Sequence, residues 1–251
     1  MKQLIAILVL PALAWSQDPP RPVSEAEYDD YDVESMKAGE WTLHETVRES
    51  PGDDGKVEKS GYRVRRACVK ADKERVWIES SGWPLEAKEA DEVGLCEVDR
   101  KTRKVLKAWL SEKGAVAKVA EVKPAEGKAP PEEEERGNGA SSEQVVQEKL
   151  KIGTRELSCN VVKLEEFHPD KNFKTIPTRT NVWFSIDVPF RLRVTDAGVR
   201  KKNLIPETWS KEFKVSQALV KFETAGGDAN GKDTTTLVDF GKDAKATVKV
   251  K

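Results

Sequence analysis

A two-residue alternation of apolar and polar side chains runs through most of this chain after Gly39, and it dictates a sheet. In EWTLHETVRE, Trp41, Leu43 and Val47 fall on one side. In GYRVRRACV, Tyr62, Val64 and Cys68 do so. Val76 and Ile78 flank Trp77, and Leu106, Ala108 and Leu110 alternate with Val105, Lys107 and Trp109. Successive side chains of a strand point to opposite faces, so this pattern marks half-buried strands. The second half repeats it. Leu157, Cys159 and Val161 share a face, as do Ala218, Val220 and Phe222, while Val182, Phe184, Ile186 and Val188 make the strongest run, ended by Pro189. TTTLVDFG and AKATVKV finish the chain as two more strands.

Turn residues separate these runs: Pro51 to Gly55, Lys70 to Lys73, Asp99 to Thr102, Gly153, and Ala225 to Gly231. Gly, Asp and Asn supply the backbone freedom and local hydrogen bonds that tight turns need. Residues 80–94 read as a longer loop, and LIPETWSKEF (204–213) as a single helical turn. The expected fold class is mainly β: an antiparallel meander with few short helices.

Composition divides the chain. Lys2, the apolar run Leu4 to Ala14 and the small-x-small site Ala14-Trp15-Ser16 form the pattern of a secretory signal peptide over 1–16. The run is shorter than the roughly 20 residues of a spanning helix and is broken by Pro11. Cleavage after Ser16 would leave a chain with no second run of spanning length. Residues 17–35, rich in Pro, Asp and Glu, read as an acidic disordered arm. A β-rich segment follows over 36–122. Residues 123–143 hold Pro, Gly, Ser and a four-Glu run, and read as a linker or disordered loop. A second β-rich segment, 144–251, either shares one sheet with the first or stands apart.

The formal net charge of −1 gives no electrostatic reason to expect a nucleic-acid partner. Sequence motifs for chemistry are missing: there is no G-x-S-x-G elbow, no H-E-x-x-H and no phosphate-cradling glycine loop. The two histidines stand apart, His44 in a strand pattern and His168 in a loop. The sequence therefore points to no catalytic residue, no metal ligand and no cofactor. Its 44 acidic residues make any carboxylate pair uninformative, which leaves a carboxylate-dependent hydrolase as an open alternative.

Three cysteines, Cys68, Cys96 and Cys159, are an odd number for an exported chain. A disulfide between Cys68 and Cys96 is one reading, and three buried thiols is the other. Of the seven tryptophans, Trp41, Trp77 and Trp183 belong to strand patterns that predict burial. Trp83, before Pro84, and Trp209 are the candidate contacts for a hydrophobic ligand. Arg191 and Arg193 begin a basic stretch suited to an anionic group.

The succession GEW (39–41), RVWIES (75–80), GTRELSCNVVKLEE (153–166), VWFSIDVPF (182–190), ALVKFET (218–224) and TLVDFG (236–241) resembles that of exported bacterial antiparallel-β proteins. Some of these have a curved half-barrel sheet like that of the periplasmic lipoprotein carriers. The resemblance implies a curved sheet; the signal pattern, the alternation and the missing chemical motifs together point to a periplasmic or extracellular, non-catalytic protein that binds a hydrophobic ligand or an envelope component. A structural or protein-interaction module is the alternative. The shared motifs are packing motifs, so no site residue transfers. The stretch 191–217 departs from the pattern, which passes quickly from the Val-Pro turn to the next strand.

Overall fold

The computed structural model describes residues 23–52, 56–112, 115–124, 141–169, 175–192, 215–226 and 231–250. The expected signal peptide, the start of the acidic arm, most of the 123–143 linker and the 204–213 turn lie outside these residues. Six strands follow one another in the first half: β2 (Trp41–Pro51), β3 (Val57–Ala71), β4 (Arg75–Pro84), β5 (Glu92–Asp99), β6 (Val105–Glu112) and β7 (Lys118–Ala120). The second half supplies β9 (Ser141–Ile152), β10 (Arg155–Pro169), β11 (Thr175–Ser185), β12 (Ala218–Gly226) and β13 (Gly231–Gly241). All join one 11-stranded antiparallel sheet in the order β7-β6-β5-β4-β3-β2-β13-β12-β11-β10-β9. The two β-rich segments thus share a single sheet, with the first strand of one beside the last strand of the other. Two short strands, β1 (Val23–Ser24) and β8 (Val122–Lys123), pair in parallel beside it.

The seam between the halves is the β2–β13 ladder. Thr46 and Thr235 share a hydroxyl hydrogen bond of 3.0 Å, and Arg48 forks onto Asp233 at 2.9 Å. The turns obey the chemistry read from the sequence. Asp72 Oδ1 accepts from the backbone N–H groups of Glu74 and Arg75, and Asp99 Oδ1 accepts from Thr102 N–H and Oγ1–H. Gly153, at φ +58°, closes the β9–β10 hairpin as expected.

The sheet curls without closing. Arg155, at the start of β10, donates to the Phe240 carbonyl of β13 and lies 4.4 Å from the Phe240 ring centroid. In a flat sheet these strands, three positions apart, would be separated by about 14 Å. The curl gathers Ile152, Leu157, Cys159, Val161, Trp183, Val220, Leu237 and Phe240 into one apolar cluster. On the opposite face of β10–β12, Val162, Val182, Phe184, Leu219 and Phe222 make a second. A third lies on β3–β6: Cys68, Val76, Ile78, Cys96, Val98, Val105 and Ala108.

Two terminal segments cover the first half, one on each face. Residues 23–36 lie on the side of Ile78 and Ser80. Tyr28 and Val33 are buried there, Tyr28 Oη and Ser80 Oγ are 3.2 Å apart, and Arg100 donates to the carbonyls of Val33 (3.2 Å), Glu34 and Met36 (2.9 Å) around a 3-10 turn, Val33–Ser35. Where composition suggests a disordered arm, its described part is a docked strap, because Tyr28 and Val33 reach the apolar floor between the acids. Residues 242–250 cover the other face. Gly39, at φ +91°, admits this tail: Ala244 N–H donates to its carbonyl at 2.9 Å, and a Cβ there would stand 2.5 Å from the Lys242 carbonyl.

Several sequence expectations change. AKATVKV is not a strand, because β2 already occupies the free side of β13, so the tail crosses the face instead. The 80–94 loop shortens at both ends, since β4 runs through Trp83 to Pro84 and β5 begins at Glu92. Ile186 is 49% exposed, because β11 stops at Ser185, whose Oγ accepts from the Asp187 N–H at 3.2 Å and turns the chain. His168 lies within β10, opposite Ile176, and not in a loop.

One carboxylate holds the far part of the tail. Glu79, 1% exposed, accepts from Thr247 N–H (2.7 Å), Thr247 Oγ1–H (3.0 Å) and Val248 N–H (2.7 Å). Hydrogen bonds to a buried charge are each worth about 1.5–3 kcal/mol, and they do not add fully. Glu79→Ala should therefore cost about 3 kcal/mol in urea unfolding. It should also raise amide exchange in 244–250; unchanged exchange there would show that Glu79 does not hold the tail.

Candidate functional site

The face under the strap is the best-formed candidate. Its floor comes from the even-numbered residues of β4 and their cross-strand partners: Ile78 stands opposite both Cys68 on β3 and Cys96 on β5. Its roof is Tyr28, Val33 and Met36, with Phe190 joining from the segment after β11. Leu192 bridges Tyr31 on one side and Gln217 on the other, tying that segment to both the strap and β12. Gln217 is 1% exposed and accepts from Asn160 Nδ2 at 3.0 Å.

That register excludes the Cys68–Cys96 disulfide. With β4 between them, the two Cα atoms stand two strand spacings apart, about 10 Å, beyond the 7 Å limit for a bridge. All three cysteines are free and buried. Burial pushes the Cys68 and Cys96 thiols up to about 12 and that of Cys159 up to about 11. They serve as small apolar side chains.

The structure does not unite the candidate ligand contacts. Trp83 sits on β4 opposite Arg63, on the face shared with Glu79 and the tail; its indole N–H is buried without a partner. Arg191 lies on the strap side, where its carbonyl accepts from Asp32 N–H at 2.8 Å. Trp209 and Arg193 are outside the described residues. The strand tryptophans are packing residues capped by cations: Lys70 lies 4.1 Å from the Trp77 ring centroid, Arg65 5.6 Å from that of Trp41, and Lys221 4.9 Å from that of Trp183. Trp183 also donates to Glu148 at 3.0 Å.

Chemistry of other kinds has less to stand on. Among the described residues, no three His, Cys, Asp or Glu side chains gather as a metal site. Glu92 faces Glu112 across the β5–β6 ladder, and burial first, then the Glu112 charge, raises its carboxyl above the usual range. Neither lines the depression of about 490 Å³ formed by Glu34, Asp72, Lys73, Arg100 and Lys101, whose charged rim does not suit an apolar ligand. Among the described residues, no helix is long and apolar enough to cross a membrane.

Sequence reasoning passed over His44 as an exposed strand residue, yet it is buried. Its Nε2–H donates to the Leu219 carbonyl at 3.0 Å, spanning β13 to reach β12. The β11–β12 ladder shifts register at Trp183/Phe184, and the β12–β13 ladder begins only at Lys221, so that carbonyl lies beyond the last β12–β13 pair. Burial pulls the imidazole down to about 4, helped by the charge of Arg66 and opposed by the hydrogen bond to Leu219.

No family model and no curated protein matches the chain. Solved structures similar to it include an exported protein of Bacteroides fragilis with a YmcC-like fold, at 10% identity and TM-score 0.32, covering 82% of this chain and 97% of that one. An outer membrane lipoprotein-sorting protein domain from Vibrio parahaemolyticus aligns at 7% identity and TM-score 0.28, over 83% and 87% of the two chains. A LolA superfamily protein of Nitrosomonas europaea aligns at 9% identity and TM-score 0.23, over 84% and 90%. One of these is described as exported and another as lipoprotein-sorting, in line with the resemblance of the sequence. At such TM-scores they carry nothing further to this chain.

Two outcomes follow from the buried groups. Iodoacetamide should leave the native protein unmodified and add three adducts in denaturant, read by intact mass; rapid native alkylation would contradict the burial. The unfolded chain takes up the His44 proton near 6.5, whereas the folded chain does so only near 4. Stability from this group is complete above pH 6.5 and falls as the pH drops toward 4, by about 3 kcal/mol. Urea unfolding of His44→Gln should lack that component across the same window.

Proposed function

We propose that this chain is an exported, non-catalytic β scaffold of a bacterial envelope that holds a hydrophobic ligand against the face now roofed by residues 23–36. The observation that carries this reading is the strap itself. An apolar floor on β3–β6 is covered by a segment separate from the sheet, anchored by a two-residue parallel ladder, the Tyr28–Ser80 pair and the Arg100 bonds. Lifting such a cover exposes a concerted apolar surface while leaving the sheet's own ladders intact. The signal-peptide pattern over 1–16 supports export to the periplasm or beyond. Phe190 and Arg191, at the edge of the strap, are the contacts this reading names first. Trp209 and Arg193 follow them in the chain, and Trp83 is reserved for a ligand on the tail face.

A second reading, a structural or protein-interaction module, is favoured by the outer edge of the sheet. Among the described residues, the 12-residue β9 pairs with β10 alone. Its outer backbone groups are suited to adding a strand from a partner protein.

Native mass spectrometry of residues 17–251, purified gently from the envelope of its source, separates the two. The expected result is a reproducible extra mass, lost on organic extraction and retained less well by Tyr28→Ala. A clean apoprotein mass would overturn the ligand reading and leave the β9 edge as the working surface.

A further inference from the structure

On the strap side of the sheet, among the described residues, two buried polar atoms have no hydrogen-bond partner and a neighbouring arginine has no carboxylate. Arg66 is 6% exposed. Among the described residues no carboxylate comes within ion-pair distance of its guanidinium, which instead lies 5.9 Å from the Tyr31 ring centroid. Thr42 is the cross-strand partner of Arg66 on β2, and its Oγ1 is buried with no hydrogen-bond partner. His44, two residues further along β2, shares the face. Its Nε2–H is committed to Leu219, so the neutral ring presents Nδ1 as an acceptor, and that atom too is buried and unpartnered.

Such an arrangement is costly to keep. A buried cation without a counter-charge is destabilising, and apolar replacements of similar volume often restore stability. Each unpaired buried polar atom adds its own desolvation cost. Their chemistry specifies what would satisfy them together. The guanidinium offers a planar fork of donors that fits two oxygens of one anion. Nδ1 accepts only, so the same ligand must carry an O–H. The Thr42 hydroxyl serves either role. A carboxylate or a sulfate at neutral pH has oxygens for the fork but no proton for Nδ1. A phosphate group, with a second pKa near 6, carries both on one small group in its monoprotonated form, which is about a tenth of the population at pH 7 and the majority below pH 6.

We propose that Thr42, His44 and Arg66 form a binding site for a monoprotonated phosphate group, either free phosphate or the head group of a phosphate monoester. Arg66 supplies the charge and the fork, His44 Nδ1 takes the ligand's proton in a hydrogen bond without transfer, and Thr42 completes the set. Tyr31 lies over Arg66. The site is independent of the hydrophobic-ligand reading: either can fail without the other.

Isothermal titration of the full chain from residue 17 with inorganic phosphate at neutral pH tests this directly. The expected result is saturable one-to-one binding, with sulfate weaker by about ten-fold or more because it leaves Nδ1 unpaired. Arg66→Met should abolish the binding while the variant stays folded, at equal or higher stability. Absence of saturable phosphate binding, equal binding of sulfate, or unchanged binding by Arg66→Met would each overturn the proposal. Vesicles distinguish the source. Co-sedimentation with phosphatidic acid in phosphatidylcholine, but not with phosphatidylcholine alone, assigns the site to a lipid head group. Phosphate binding without vesicle binding assigns it to a soluble phosphate.

Discussion

A sheet with apolar side chains on both faces must be covered on both faces, and this requirement organises the whole molecule. The second half meets it by curling, so that the face bearing Trp183 and Val161 closes on Phe240 and Leu237. The first half is covered from outside by the two ends of the described chain. Their anchors are neighbours on β4: Ser80 meets the strap through Tyr28, and Glu79 holds the tail. Alternation along a strand sends these adjacent side chains to opposite sides, so one short stretch of β4 serves both covers. Cations spread over Trp41, Trp77 and Trp183 cover further apolar area.

Much of the sheet was legible because alternation is a local property. The β9–β10 hairpin at Gly153 and the Asp72 and Asp99 turns need only residues a few positions apart. What escaped notice depends on distant residues. Nothing in AKATVKV says that β2 has already taken the place beside β13. Nothing in the acidic run around Tyr28 and Val33 says that an apolar floor awaits them. The Cys68–Cys96 bridge fails for a similar reason: both cysteines face Ile78, and only the register shows that a strand stands between them.

The polar residues of the strap side were the least legible. His44 reads as a surface residue because its neighbours Leu43 and Glu45 define an ordinary alternating strand. Its burial comes from the seam, where β13 and β12 lie beside β2 and an unpaired Leu219 carbonyl waits for a donor. Arg66 reads as one more charge in the GYRVRRACV run, yet it points to the same side as Val64 and Cys68. A signal did exist: Arg66 breaks the apolar face that Tyr62, Val64 and Cys68 define. Buried polar residues that interrupt such a face mark where packing has been given up for another purpose.

The seam also fixes the order in which the molecule can be completed. β2 is the first strand of the large sheet to be made, and its partner β13 is the last. Until the final stretch of chain arrives, the meander from β2 to β7 has an open inner edge of 11 residues, with unpaired backbone groups along its length. An edge of that kind is the feature that recruits wrong partners during synthesis. Here it lies next to His44 and Thr46, whose mates on β12 and β13 are 175 and 189 residues away. A chain built this way leaves that edge open until its last strand is available to close it.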